Sequence, residues 1–171
     1  MSYNPFQALD LRVPREFHED LTRYSRTQSV AGEKKNPLDN PFDRYVDLWV
    51  LGVCLGAREG RTVELKGAAA HTFVTGVVLA TDPDRIELLE LLAIGHTGDP
   101  YIVAEPRQVI DLANGFAAVG VPMVVEMLKS GRGRPLWNLT ETVLEEFERE
   151  LQPFGSAEPE KATKKAAKKK A

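Results

Sequence analysis

The 171-residue chain is 43% hydrophobic and carries 22 Lys and Arg against 25 Asp and Glu, a formal net charge of −3. That is enough chain for one globular domain with a proper core, and a single cysteine, Cys54, excludes a disulfide framework. Residues 161–171 hold six lysines and no acid; the remainder has 16 basic against 25 acidic residues, a net charge of −9. An acidic body does not attract nucleic acid, so any such contact falls to the tail or to a local basic loop.

In chain order, residues 1–11 contain Asn4-Pro5 and little periodicity, and read as a flexible lead-in. A first helix is expected near Pro14, whose missing amide proton costs nothing in an opening turn, with Phe17, Leu21 and Tyr24 on one face. Arg26 to Pro41 has loop composition. The stretch from Tyr45 to Ala57 holds one charge, Asp47. Its apolar residues cover every side rather than one stripe, which predicts a helix surrounded by neighbours. Gly52 and Gly56 lie on one face of it and allow another helix to approach closely. Asp47 must therefore reach solvent or pair with a base such as Arg44, because an unpaired buried charge is too costly. The run is shorter than the roughly 20 apolar residues a membrane span needs. No other segment is expected to reach that length, and the first residues lack the layout of a secretory signal.

Gly60 suits a left-handed helix terminus. Thr62–Lys66 and Thr72–Leu79 have strand character and could pair as a small hairpin. Asp82-Pro83-Asp84 is a helix start with a capping side chain, and the helix runs to about His96 with Ile86, Leu89, Leu92 and Ala93 inward. After an extended Tyr101–Val103, a helix is expected from Pro106 to about Val119, broken by Gly120-Val121-Pro122. A short apolar helix from Met123 to Leu128 then leads into a basic loop, Lys129 to Pro135. The last helix lies near Leu139–Leu151, with Leu139, Val143, Leu144, Phe147 and Leu151 on one side, and Asn138 with Glu141 has the form of a capping box. The fold expected is mainly α: a compact bundle of about five to six helices around one buried central helix, with room for a small β-hairpin. It occupies residues 12–154 as a single helical domain, followed by a disordered Lys/Ala-rich tail over 155–171.

Little in this pattern carries chemistry. His18, His71 and His96 are scattered without ligand-spaced partners, so no metal, cofactor or catalytic residue is assigned. His96 and Asp99 bracket a helix-ending turn and could act as acid and base, but a surface-loop hydrogen bond is the plainer reading. Cys54 has no evident activating His. Glu64-Leu65-Lys66 has the E-x-K form of metal-dependent nucleases and would need a strand with a preceding aspartate. Arg132 and Arg134 among glycines could approach a phosphate, but a solvated helix connection is the plainer reading.

The run from Tyr45 to Arg61, followed by Val63 and Leu65, resembles the small accessory proteins encoded beside bacterial DNA phosphorothioation (Dnd) and related phage-defence systems. In that family an apolar helix enters a Gly-aromatic-Arg-Asn-Gly turn; here Ala57 stands for the aromatic and Glu59 for the Asn. Leu88 to Asp99 is similar to the family's second helix with its Gly-Asp turn, and Asn114 to Gly120 to a third helix end. The resemblance covers roughly residues 12–130 and implies genomic context and partnership rather than an activity.

The function expected is thus a non-enzymatic, cytoplasmic accessory or adaptor, an antiviral-defence or DNA-modification protein acting through protein–protein interaction. Its partners would be other proteins of that complex, with no membrane involved. Met123, Met127 and Leu128 are the candidate partner-binding residues, as an exposed apolar patch. A nucleic-acid-binding protein is the alternative, using Lys129, Arg132 and Arg134 of the loop with Lys161, Lys164, Lys165, Lys168, Lys169 and Lys170 of the tail. Contact through such lysines is weak and non-specific. A metal-dependent nuclease is the second alternative.

Overall fold

The computed structural model describes residues 3–27 and 35–151, with Glu150 and Leu151 as backbone only. The tail over 155–171 and its six lysines lie outside the described residues. The chain forms a strand β1 (Asp10–Pro14), helices α1 (His18–Tyr24) and α2 (Tyr45–Arg58), a strand β2 (Ala70–Thr75), and helices α3 (Pro83–Thr97), α4 (Pro106–Lys129) and α5 (Pro135–Leu151). Short 3-10 turns link several of them. It is mainly α with one small two-stranded antiparallel sheet.

Helix α2 is the buried helix its composition predicts, with Val46, Leu48, Trp49 and Val53 almost fully buried. Its one charge is paired as expected: Asp47 lies 3.1 Å from Arg44 and 2.7 Å from Arg85 of α3, and accepts the Arg44 amide at 2.8 Å. Gly60 follows the helix at φ +64°, the left-handed terminus that glycine adopts without a Cβ penalty.

Across α2 lies α4, and there the expected break is absent. The helix runs unbroken from Pro106 to Lys129 with Pro122 inside it. Proline removes one amide donor and costs about 3 kcal/mol in a helix interior. Two features offset it. Ala118, whose carbonyl loses that donor, is only half-buried, as is Pro122, so the freed group is on a side solvent reaches. The opposite side packs Ala117, Val121, Val124 and Leu128 at 1% exposure or less. The resulting helix is long and apolar enough to cross a membrane, with mean hydropathy 1.5, which corrects the expectation that no segment reaches such a length. Within the protein 61% of its 18-residue apolar stretch is buried, and α4 serves as a core helix.

The lead-in is not loose over its described part. Phe6 is 1% exposed, Leu11 and Val13 are fully buried, and β1 alternates buried and half-buried residues as a strand with one covered face does. β2 pairs with β1 and not with Thr62–Lys66: Asp10 stands opposite Thr75 and Pro14 opposite Ala70, with an irregularity between Leu11 and Arg12. Residues 61–66 form no strand and run beside α4, where the Val63 amide donates to the Gly115 carbonyl at 3.1 Å.

The second edge of β1 is closed by side chains. Asn114 of α4, 3% exposed, accepts from the Arg12 amide at 2.7 Å and donates to the Asp10 carbonyl at 3.0 Å. Trp49 Nε1 donates to the Arg12 carbonyl at 3.0 Å. An amide side chain thus does what a third strand would do. Asn114→Ala would orphan two backbone groups, each worth about 1–3 kcal/mol when left unsatisfied. A loss of about 2–4 kcal/mol is expected in urea unfolding; an unchanged midpoint would mean that water replaces the amide at no cost.

Three local expectations change. Tyr101–Val103 belongs to a 3-10 turn over Pro100–Ala104, whose first amide Asp99 caps at 2.9 Å from Tyr101 N. Asp82 precedes α3 without capping it, because its carboxylate turns to Arg44 at 2.7 Å. Asn138 lies inside α5, which begins at Pro135.

The Arg44–Asp82 pair carries a pH prediction. The Arg44 hydrogen bond holds the Asp82 carboxyl below its ordinary value. A depressed folded pKa contributes stability above the unfolded value near pH 4, lost as pH falls through the folded one. Asp82→Asn should therefore lower stability at pH 7, and the gap from wild type should close as unfolding is measured from pH 5 down to pH 2.

Candidate interaction surface

The end of α4, the Gly-Arg loop and α5 form one region, pinned by Asn138. That side chain is 4% exposed; its oxygen accepts the Gly133 amide at 3.0 Å and its nitrogen donates to the Leu128 carbonyl at 3.0 Å. A Cβ on Gly131 would collide with the Asn138 amide, 2.6 Å from its Cγ. A side chain there would push Asn138 out of these two hydrogen bonds, which hold the loop as it returns the chain along α4. Glu146 fixes the other half of α5 through Arg58 at 2.7 Å, and the Leu136 amide bonds the Leu38 carbonyl at 3.1 Å.

The three basic residues of the loop do not act together. Lys129 pairs with Asp20 of α1 at 2.9 Å, and Arg134 approaches Asp39 at 3.8 Å. Arg132 is exposed and makes no ion pair among the described residues. Two of the three charges are thus already answered by acids of the same chain.

The expected apolar patch at the end of α4 is corrected in part. Leu128 is 1% and Met127 6% exposed, because the unbroken helix turns both toward its own neighbours. Met123 is half-buried. With Met127, Phe17 and Pro122 it lines a surface groove of about 710 Å³ between α4 and α5, which Glu126 and Glu146 also line.

The open apolar surface is on α5 instead. Trp137, Val143, Leu144 and Phe147 are 55%, 47%, 54% and 58% exposed. At 3.6 residues per turn, Val143, Phe147, Leu144 and Trp137 succeed one another round one side of the helix, starting beside half-buried Leu139. Glu148, Glu141 and Glu145 come next. The sequence contains this stripe, but its period alone points it into a core; only the packing shows that α5 inserts the Leu139, Thr142 and Glu146 edge and leaves the rest open.

The remaining candidates stay apart. Glu64 and Lys66 pair with each other at 2.5 Å while largely exposed, and the E-x-K residues lie on no strand. His96 stands edge-on to Phe116 at 5.1 Å between ring centroids, and Asp99 is engaged at Tyr101. Burial pushes the Cys54 thiol above its ordinary value and keeps it protonated at neutral pH. The His18 and His71 rings lie 3.7 Å apart between centroids, tilted by 38°, and burial, then His18 and Arg15, lower the His71 pKa. Among the described residues no three His, Cys, Asp or Glu converge as a metal-binding group.

No protein-family model, curated protein or solved structure matches the chain. The surface just described therefore stands on its own geometry.

Proposed function

We propose that the protein is a non-enzymatic adaptor that works by binding another protein in the cytoplasm, within the DNA-modification or phage-defence setting that its resemblance to Dnd-associated accessory proteins implies. The observation that carries this reading is the apolar stripe on α5. Four large apolar side chains, each about half exposed on one helix face, are an unusual surface for a chain to leave open unless something covers it. Nucleic-acid binding is the second reading, favoured by exposed Arg132 and the tail lysines; the acidic body opposes it.

Capture of proteins encoded by neighbouring genes tests both. On the adaptor reading, Leu144→Ser with Phe147→Ser abolishes capture. Changing Lys161, Lys164, Lys165, Lys168, Lys169 and Lys170 to Gln leaves capture intact and removes low-salt DNA retention. Capture lost with the lysines and kept without the stripe would reverse the assignment.

A further inference from the structure

We infer that the α5 stripe receives a basic amphipathic helix of the partner protein. The inference rests on the adaptor reading and adds the partner's chemistry. Two observations select it. First, Val143, Phe147, Leu144 and Trp137 line one helix side over about three turns, the length and spacing that a facing helix covers with anchors at i, i+3, i+4 and i+7. Second, the stripe is edged by Glu141, Glu145 and Glu148, which are exposed and make no ion pair among the described residues. Glu146 on the opposite edge is already paired with Arg58. A partner helix with an apolar seam and lysines or arginines beside it meets both features. An acidic helix would set like charges side by side, and an anionic bilayer or nucleic-acid backbone is repelled by the same row. A second copy packed antiparallel would bring its own Glu141, Glu145 and Glu148 against these.

The position of Trp137 supplies the readout. The chain has two tryptophans; Trp49 is fully buried and Trp137 is open, so a helix seated on the stripe blue-shifts the emission of Trp137 alone. The probe is a synthetic helix with leucines at heptad spacing and lysines beside them, titrated into the full chain against a peptide with the same leucines and glutamates for lysines. The lysine peptide should bind saturably and at least about ten-fold more tightly than the glutamate peptide. Leu144→Ser with Phe147→Ser should weaken it about ten-fold or more. Glu141→Gln, Glu145→Gln and Glu148→Gln together should remove its salt dependence. Both variants alter exposed residues only, and unchanged circular dichroism and melting show that they fold.

Equal affinity for the two peptides, or binding indifferent to the serine variants, overturns the inference. So does a stripe-dependent dimer in sedimentation, which makes a second copy the occupant. Displacement of the lysine peptide by a peptide of residues 155–171 makes the chain's own tail the occupant and overturns it too. If neither helix binds while neighbouring proteins are still captured through α5, the basic-helix inference fails and the adaptor reading stands; capture indifferent to α5 removes both.

Discussion

Gly120→Ala is expected to destabilise the fold by about 3 kcal/mol or more. A Cβ at this position of α4 would collide with the carbonyl oxygen of Gly52 and lie 2.7 Å from its carbon and 2.8 Å from the Gly56 amide nitrogen. These are backbone atoms of α2, which no rotamer change can move aside. The same contact is tight from the other side, where a Cβ on Gly56 would lie 2.7 Å from the Phe116 carbonyl carbon and one on Gly52 2.7 Å from Val121 Cγ2. Overpacking a core costs about 1–3 kcal/mol, and more where the backbone must yield; separating two central helices belongs at the upper end. A loss of about 3 kcal/mol or more should appear in urea unfolding or as failure to accumulate soluble protein. Gly95→Ala is the control. It lies on the exposed side of α3 with nothing within 4 Å of the added Cβ, and alanine there should raise stability by roughly 0.5–1 kcal/mol. If Gly120→Ala melts like wild type, the two helices do not cross at these glycines.

That crossing was half legible in the sequence. Gly52 and Gly56 announce a close approach because two glycines one turn apart serve few other purposes in a helix interior. Their partner was hidden, because Gly120-Val121-Pro122 is locally a helix breaker and becomes helix where α2 packs against it. Propensity is a local term of a few kcal/mol at most, and burial of Val121, Val124 and Leu128 outweighs it. The same holds for β1. Asp10–Pro14 is too short to signal a strand alone, and its edge bonds come from Asn114, about a hundred residues away.

The surface on α5 was legible in content and not in direction. Period marks Leu139, Val143, Leu144 and Phe147 as one apolar arc but cannot say how much of the arc a neighbour covers. Asn138 shows the limit more sharply: its spacing to Glu141 suggests a cap, whereas its side chain holds the preceding loop through Gly133 and Leu128. Asp47, by contrast, was narrowed by energetics before geometry to two states, solvent or an ion pair, and the structure shows the pair with Arg44 and Arg85.

Trp49→Ala should cost roughly 3–5 kcal/mol, the usual range for truncating a large core aromatic. The residue joins three elements: it is fully buried on α2, stands 6.4 Å from the Phe73 ring of β2, and donates to the Arg12 carbonyl of β1. Alanine empties the volume and strands that carbonyl at once. Against a typical total of 5–15 kcal/mol, this is enough to populate unfolded chains near physiological temperature. Trp49→Phe separates the two losses, since it keeps most of the apolar volume and deletes the donor; about 1–3 kcal/mol is expected from the unsatisfied carbonyl and the altered shape. In both variants Trp137 is the remaining tryptophan, so unfolding should be followed by circular dichroism rather than by its emission, which is already that of an open side chain. An urea midpoint for Trp49→Ala equal to wild type would remove Trp49 from the core, and with it the attachment of the sheet to α2.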